Sequence, residues 1–229
     1  MLSLEAKLRN GCDALGIRLS EMTINGLLNY LELICKWNKV YNLTAIREPE
    51  EMLTLHLLDS LSAISPLRRQ IASLFSGHSE VIRCLDVGSG AGLPGVVIAL
   101  CCPELGVDCV DAVGKKAAFI QQAAANLRLP NLRGLHARVE SLRGPYQIIC
   151  SRAFASLGDF TGLTKGSLAG DGIWMAMKGR QPDDELSNLS PDVQLFHVEP
   201  LVVPGLDAER CIVWMRHTDS VIAVAGKAI

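Results

Sequence analysis

The chain has 229 residues, 49% hydrophobic and 20% charged, with a formal net charge of −2. Those proportions suit one sizeable domain, or a domain with an appendage, and exclude wholesale disorder. They also exclude a blanket polyanion binder, and no apolar run reaches the roughly 20 residues needed to span a bilayer.

The N-terminal "MLSLEAKLRNGCD" lacks the basic-then-apolar layout of a signal peptide, so a cytoplasmic protein is expected. Residues 1–75 read as a helical cap. Ser20 is placed to cap a helix whose apolar positions Ile24, Leu27, Leu28, Leu31, Ile34 and Cys35 keep helical spacing. After "NLT" (Asn42 to Thr44) and Pro49, "EMLTLHLLDSLSAI" predicts a second helix up to Pro66. A linker of small residues, "SLFSGHSE", then precedes a change of period.

From Val81 onward the runs "VIRCLDVG", "GVDCVDAV", "LRGLHARVE", "YQIICSRAF", "GIWMAMKG", "VQLFHVEPLVV" and "RCIVWMR" predict strands. Helical stretches at 93–102, 115–129 and 158–168 separate the early ones. This alternation implies right-handed crossovers and a seven-stranded, mostly parallel sheet with helices on both faces. The last two strands lack a full helix between them and read as an antiparallel edge hairpin. The expected division is a helical cap at 1–75, an α/β domain at 76–218 and a tail at 219–229.

Charge is unevenly spread. Residues 115–152 carry seven Lys or Arg and one acid, Glu140, whereas residues 182–209 carry seven acids and no Lys or Arg. A basic face on a mildly acidic chain suits selective contact with a polyanion. The eight cysteines sit mostly among apolar neighbours with no C-x-x-C, and the five histidines are not spaced as ligand pairs. Reduced core thiols and no metal site are therefore expected.

The chemistry concentrates in "LDVGSGAGLPG", residues 85–95, between a strand and a helix. Gly90, Gly92 and Gly95 match G-x-G-x-x-G, and Asp111 follows about 20 residues on, which formally allows a dinucleotide. Asp86, just before the first glycine, opposes that choice, because a carboxylate there repels a pyrophosphate. It suits a ligand with positive charge at this place, and S-adenosylmethionine carries an ammonium beside a sulfonium. Gly88 and Gly90 then let the backbone pass close to the ligand. Leu93 and Pro94 open the helix whose N-terminus faces the methionine carboxylate. Asp111, ending the second strand, is placed to accept the ribose hydroxyls, with a helix N-cap as its structural alternative; for Asp86 the alternative is a turn carboxylate bonding its own backbone.

The blocks "WNKVYNLTAI", "HLLDSL", "LDVGSGAGLPG", "DAVGKKAAFI", "ARVE", "SRAFASL" and "MKG" resemble, in order from Trp37 to Arg216, the bacterial glucose-inhibited division protein B family. That family comprises guanine-N7 methyltransferases of small-subunit (16S) ribosomal RNA. The resemblance implies a class I S-adenosylmethionine-dependent methyltransferase fold, Rossmann-like, and a guanine in the decoding-region loop as target. It implies cofactor contacts at Gly88, Leu93, Val139, Glu140 and Arg152, with Val139 against the adenine ring and Glu140 near its edge. Ala112 departs from the Ser that members often carry after the acid. The implied partner is 16S rRNA, in the small subunit or an assembly intermediate, met by a monomer that takes no metal and contacts no membrane.

Guanine N7 carries an in-plane lone pair, so its methylation needs no general base. In agreement, no Asn/Asp-Pro-Pro-Tyr run follows the fourth strand. Arg152 and Lys178, ending the fourth and fifth strands, are the candidate catalytic residues, holding guanine O6 or a phosphate. Lys115, Lys116 and Arg138 form a candidate RNA-binding rim. Cys150 as a nucleophile toward a pyrimidine is the disfavoured alternative. Asn42, His56 and Asp59 read as polar residues joining cap to sheet, with a substrate-facing role left open. The rival functions are a methyltransferase of another RNA or of protein, a non-catalytic S-adenosylmethionine-binding regulator, and an NAD-dependent oxidoreductase.

Overall fold

The computed structural model describes residues 2–219, so the expected tail lies, apart from Asp219, outside the described residues. Helix α1 (Leu4–Ala14) leads into α2 (Glu21–Tyr41), where Ser20 Oγ accepts from Thr23 N at 3.1 Å, as an N-cap should. Along α2 the buried residues Ile24, Leu27, Tyr30, Leu31, Ile34 and Asn38 form one stripe. The helix ends where Asn42 turns left-handed at φ 49°.

The next stretch departs from the single predicted helix. It comprises α3 (Pro49–Met52), a π-helical segment Leu53–Leu58, α4 (Asp59–Ser62) and α5 (Ile64–Leu74). Pro66 falls in the first turn of α5, where its missing N–H removes no helical bond. The remaining elements are β1 (Arg83–Val87), α6 (Gly95–Cys101), β2 (Gly106–Asp111), α7 (Gly114–Asn126), β3 (Leu132–His136), β4 (Tyr146–Arg152), α8 (Leu157–Thr164), β5 (Leu168–Lys178), α9 (Asp183–Ser187), β6 (Val193–Leu201) and β7 (Arg210–His217). Helix α6 starts two residues later than predicted, because Leu93 and Pro94 belong to the turn.

All seven predicted strands form one sheet, ordered β3-β2-β1-β4-β5-β7-β6. The first five pair in parallel, while β7 runs antiparallel to both β5 and β6. The expected hairpin therefore forms, but its second strand lies inside the sheet and its first is the edge. Burial explains the order: β7 is buried nearly throughout, whereas β6 alternates between covered and open positions. Strand order reverses between β1 and β4, which opens a crevice beyond their carboxyl ends.

Apolar side chains cluster on both faces. One cluster runs from Leu8 through Tyr30, Leu61, Val96, Phe119 and Ile148 to Trp214, so the N-terminal helices share their core with the sheet. The boundary expected near residue 75 falls between α5 and β1, yet this core crosses it without a break. On the other face Leu157 and Phe160 of α8 cover Leu85, Ile149 and Trp174. Tyr30, fully buried on α2, donates its hydroxyl to the Ala91 carbonyl and so braces the glycine turn from the helical side.

Candidate functional site

The turn after β1 is built by its glycines. Gly88, Gly90 and Gly92 hold φ of 66°, 59° and 87°, a region costly for residues with a Cβ. Gly88 N and Ser89 N both bond the Val110 carbonyl, so β1 and β2 pin the turn from two sides. Two cavities open onto it. The larger, about 710 Å³, is walled by Gly88 to Ala91, Leu93, Arg152, Lys178 and Arg210, and by Leu43 and Thr44 from the loop after α2 with His56 and Asp59 from the helical segments beyond it. The smaller, about 340 Å³, is walled by Val87, Gly88, Val110 to Ala112, Lys116, Arg138, Val139 and Glu140. Gly88 and Phe154 line both.

Asp111 sits at the wall of the smaller cavity, where its carboxylate accepts from Gly90 N at 3.0 Å and Val113 N at 2.8 Å. It therefore ties the glycine turn to the start of α7, whose N-cap position is Val113 instead. Lys116, expected on an outer RNA rim, leans inward to 3.8 Å from Asp111 and lines the same cavity. Lys115 and Arg138 are exposed, as a rim requires. Val139 is buried and Glu140 exposed, in a short 3-10 turn.

Asp86 departs from its expected position. It is fully buried beneath the turn and lines neither cavity, so its carboxylate does not face a ligand there. One oxygen accepts from Gly95 N at 2.9 Å and the other has no partner. Burial pushes its pKa up to about 7, against the opposing pull of the Gly95 N–H and of Arg152. Cys150, fully buried 3.8 Å from the Cys84 sulfur and outside both cavities, is no nucleophile for a bound base. All eight cysteines are free thiols. Among the described residues no three His, Cys, Asp or Glu side chains are grouped to hold a metal.

The larger cavity carries a charge cluster that spacing in the sequence could not reveal. Asp59, 3% exposed, accepts from Arg152 at 2.8 Å and from Arg210 at 2.9 Å through its two oxygens. The π-helical segment supplies a third contact. Asp59 N reaches back to the Thr54 carbonyl, which leaves the Leu55 carbonyl to accept from Arg152 at 2.7 Å. Such segments commonly mark functional sites because they free a carbonyl and re-aim side chains. Arg152 is thus an oriented cation and not a loose surface one. His56 Nε2 meets Thr44 Oγ1 at 3.0 Å, and Thr44 N donates to Asn38 Oδ1 at 2.9 Å. Burial, then the charge of Arg152, lowers the His56 pKa to about 4, so the imidazole is neutral near pH 7. Lys178 is held by Glu185 at 2.8 Å and by the Ala155 carbonyl at 3.2 Å. Asn42 lines neither cavity and accepts from Arg47 at 3.1 Å.

A seven-stranded sheet of this order, with a glycine turn after β1 and an acid ending β2, defines the fold of the S-adenosylmethionine-dependent methyltransferases. Solved structures that superpose on the chain include TrmN from Thermus thermophilus (TM-score 0.53, 17% identity, 72% of this chain and 53% of that one). They also include the N-methyltransferase NodS from Bradyrhizobium japonicum WM9 in complex with S-adenosyl-L-homocysteine (TM-score 0.53, 11% identity, 80% and 99%). The sequence profile of rRNA small subunit methyltransferase G matches residues 23–213. Ribosomal RNA small subunit methyltransferase G of Albidiferax ferrireducens is 61% identical over 222 residues, covering 95% of this chain and 99% of that protein. Its counterpart in Paracidovorax citrulli is 59% identical over 219 residues, covering 93% and 90%. The chain belongs to the rRNA small subunit methyltransferase G family.

Proposed function

We infer that the protein transfers the methyl group of S-adenosylmethionine to N7 of a guanine in 16S ribosomal RNA. The observation that carries this reading is the match to its relatives across nearly the whole chain, at about 60% identity. The residues present fit the donor. Asp111, Val139 and Glu140 hold its nucleoside half in the smaller cavity, and the backbone of Gly88 to Leu93 receives its methionine half in the larger. When bound, it supplies a methyl group on a positively charged sulfur.

The rest falls to the chain. Guanine N7 needs no deprotonation, and the larger cavity offers no activated base: His56, its pKa lowered to about 4, is a weak proton acceptor tied to Thr44, and Lys178 is tied to Glu185. What the cavity offers is position and charge. Arg152 and Arg210 share one buried acid, Asp59, while Lys178 has its own partner in Glu185, so three cations meet two acids and the wall keeps a net positive charge, which suits a guanine O6 or a phosphate. Holding N7 in line with the methyl group accounts for roughly 7–11 kcal/mol of barrier at best. Lys115 on the outer surface and Arg138, exposed at the edge of the smaller cavity, contact the RNA backbone. The protein acts in the cytoplasm as a monomer, on the small subunit or an assembly intermediate.

The test is incubation with methyl-labelled S-adenosylmethionine and small subunits, naked ribosomal RNA or bulk protein, followed by chemical cleavage at 7-methylguanine. Label confined to one guanine of 16S RNA is expected. Label at another atom or only in protein overturns the substrate. Thermal stabilisation by NAD and none by S-adenosylhomocysteine overturns the cofactor.

A further inference from the structure

The two cavities meet at a waist. Gly88 and Phe154 are the residues common to both walls. A Cβ built on Gly88 would lie 2.8 Å from Phe154 Cδ2, so the ring rests directly on the glycine and narrows the way between the two cavities. The cofactor residues divide about this point. Asp111, Val139 and Glu140 stand on one side, and Gly90, Leu93 and Arg152 on the other. A ligand that uses both sets has to thread between Gly88 and Phe154.

We propose that Phe154 is the gate of this waist: its ring rests against Gly88 and moves aside for a ligand that spans both cavities. The inference rests on the S-adenosylmethionine reading of the site. Three further observations support it. Phe154 is only half-buried, with its ring edge-on to Phe160 at 6.1 Å, so it has solvent to turn into. It sits in the short irregular link between β4 and α8, not on a rigid element. Ala153, immediately before it, holds φ 55°, a conformation a non-glycine residue keeps only under constraint. That residue fixes the direction in which Phe154 leaves the strand. Gly88 has a second reason to lack a side chain: any Cβ would meet the ring that closes the waist.

A gate taxes association in proportion to the time it is shut, and only for ligands that must cross it. The experiment compares wild type, Phe154→Ala and Phe154→Leu by stopped-flow binding of S-adenosylhomocysteine, which spans the waist, and of adenosine, which fits the smaller cavity alone. The expected result is an S-adenosylhomocysteine association rate raised about threefold to tenfold in Phe154→Ala and less in Phe154→Leu. Adenosine association should stay within about twofold in all three. Equal changes for both ligands, or an unchanged S-adenosylhomocysteine rate, would show that the ring is ordinary packing and overturn the gate. If wild type fails to bind S-adenosylhomocysteine at all, the cofactor reading itself falls. Phe154→Leu keeps an apolar side chain against Phe160 and preserves the comparison if the alanine variant folds poorly.

Discussion

Asp86 turns the burial of one carboxylate into a measurable pH dependence. Its side chain is fully buried, with one oxygen bonded to Gly95 N and the other unpartnered, and its pKa rises from 3.8 to about 7. A group whose folded pKa exceeds its unfolded value stabilises the fold at low pH, and that contribution disappears as pH rises through the folded value. The window here runs from about pH 4 to about pH 7. Between pH 6 and pH 8 the loss comes to about 1.4 kcal/mol, close to one pKa unit's worth. Asparagine keeps the shape and an acceptor for Gly95 N but does not titrate. The stability of Asp86→Asn relative to wild type should therefore improve by about 1.4 kcal/mol from pH 6 to pH 8, or about 3–5 °C in Tm. His56 titrates in the opposite sense, losing stability below pH 6.5 as its lowered pKa is approached, but it is present in both proteins and cancels in the difference. The assay is thermal or denaturant unfolding of both proteins across pH 5–9. A wild-type–variant gap that stays constant with pH would refute the reasoning.

Three other substitutions probe the site. Asp59→Asn leaves Arg152 and Arg210 without their anion; since those side chains keep 19% and 26% exposure, a loss of about 2–3 kcal/mol is expected, between the exposed-pair and buried-pair extremes, seen as a Tm lower by about 5–10 °C. Arg152→Ala should lower kcat about a hundredfold and S-adenosylhomocysteine affinity by a clearly smaller factor; equal losses in both would remove its role toward the base. Gly95→Ala would bring a Cβ to 2.2 Å from Cys109 Sγ and 2.8 Å from Asp86 Oδ2, so calorimetry should find it destabilised by about 3 kcal/mol or more.

Much of this architecture could be read from residue order. The strand runs, the glycine turn and the acid ending β2 are local patterns, and local patterns survive in a sequence. The hairpin of β6 and β7 was legible too, but not that β7 would lie inside, since that depends on which strand is buried on both faces. The π-helical segment was hidden because "EMLTLHLLDSLSAI" keeps apolar spacing that an α-helix satisfies equally well. The partners of Asp59 lie 93 and 151 residues away, beyond the reach of any spacing argument. Asp86 and Lys116 read from the sequence as ligand-facing residues, but their side-chain directions follow from packing: one turns under the glycine turn, the other toward Asp111. Phe154 stood in the quoted "SRAF" block, and only the shape of the two cavities gives it a role.

The position of β7 also governs when this protein becomes whole. β5 is made after β4, its neighbour on one side, but its neighbour on the other is β7, and β6 is synthesised between them. Until residues 210–217 leave the ribosome, β5 presents an open edge, and Trp174 lacks the cover of a finished sheet. Arg210, at the head of that strand, is the cation that completes the cluster on Asp59. A nascent chain can hold its glycine turn and first four strands and still lack the finished cationic wall. Among the described residues β7 is the last strand, so a product interrupted before Arg210 lacks the second cation on Asp59.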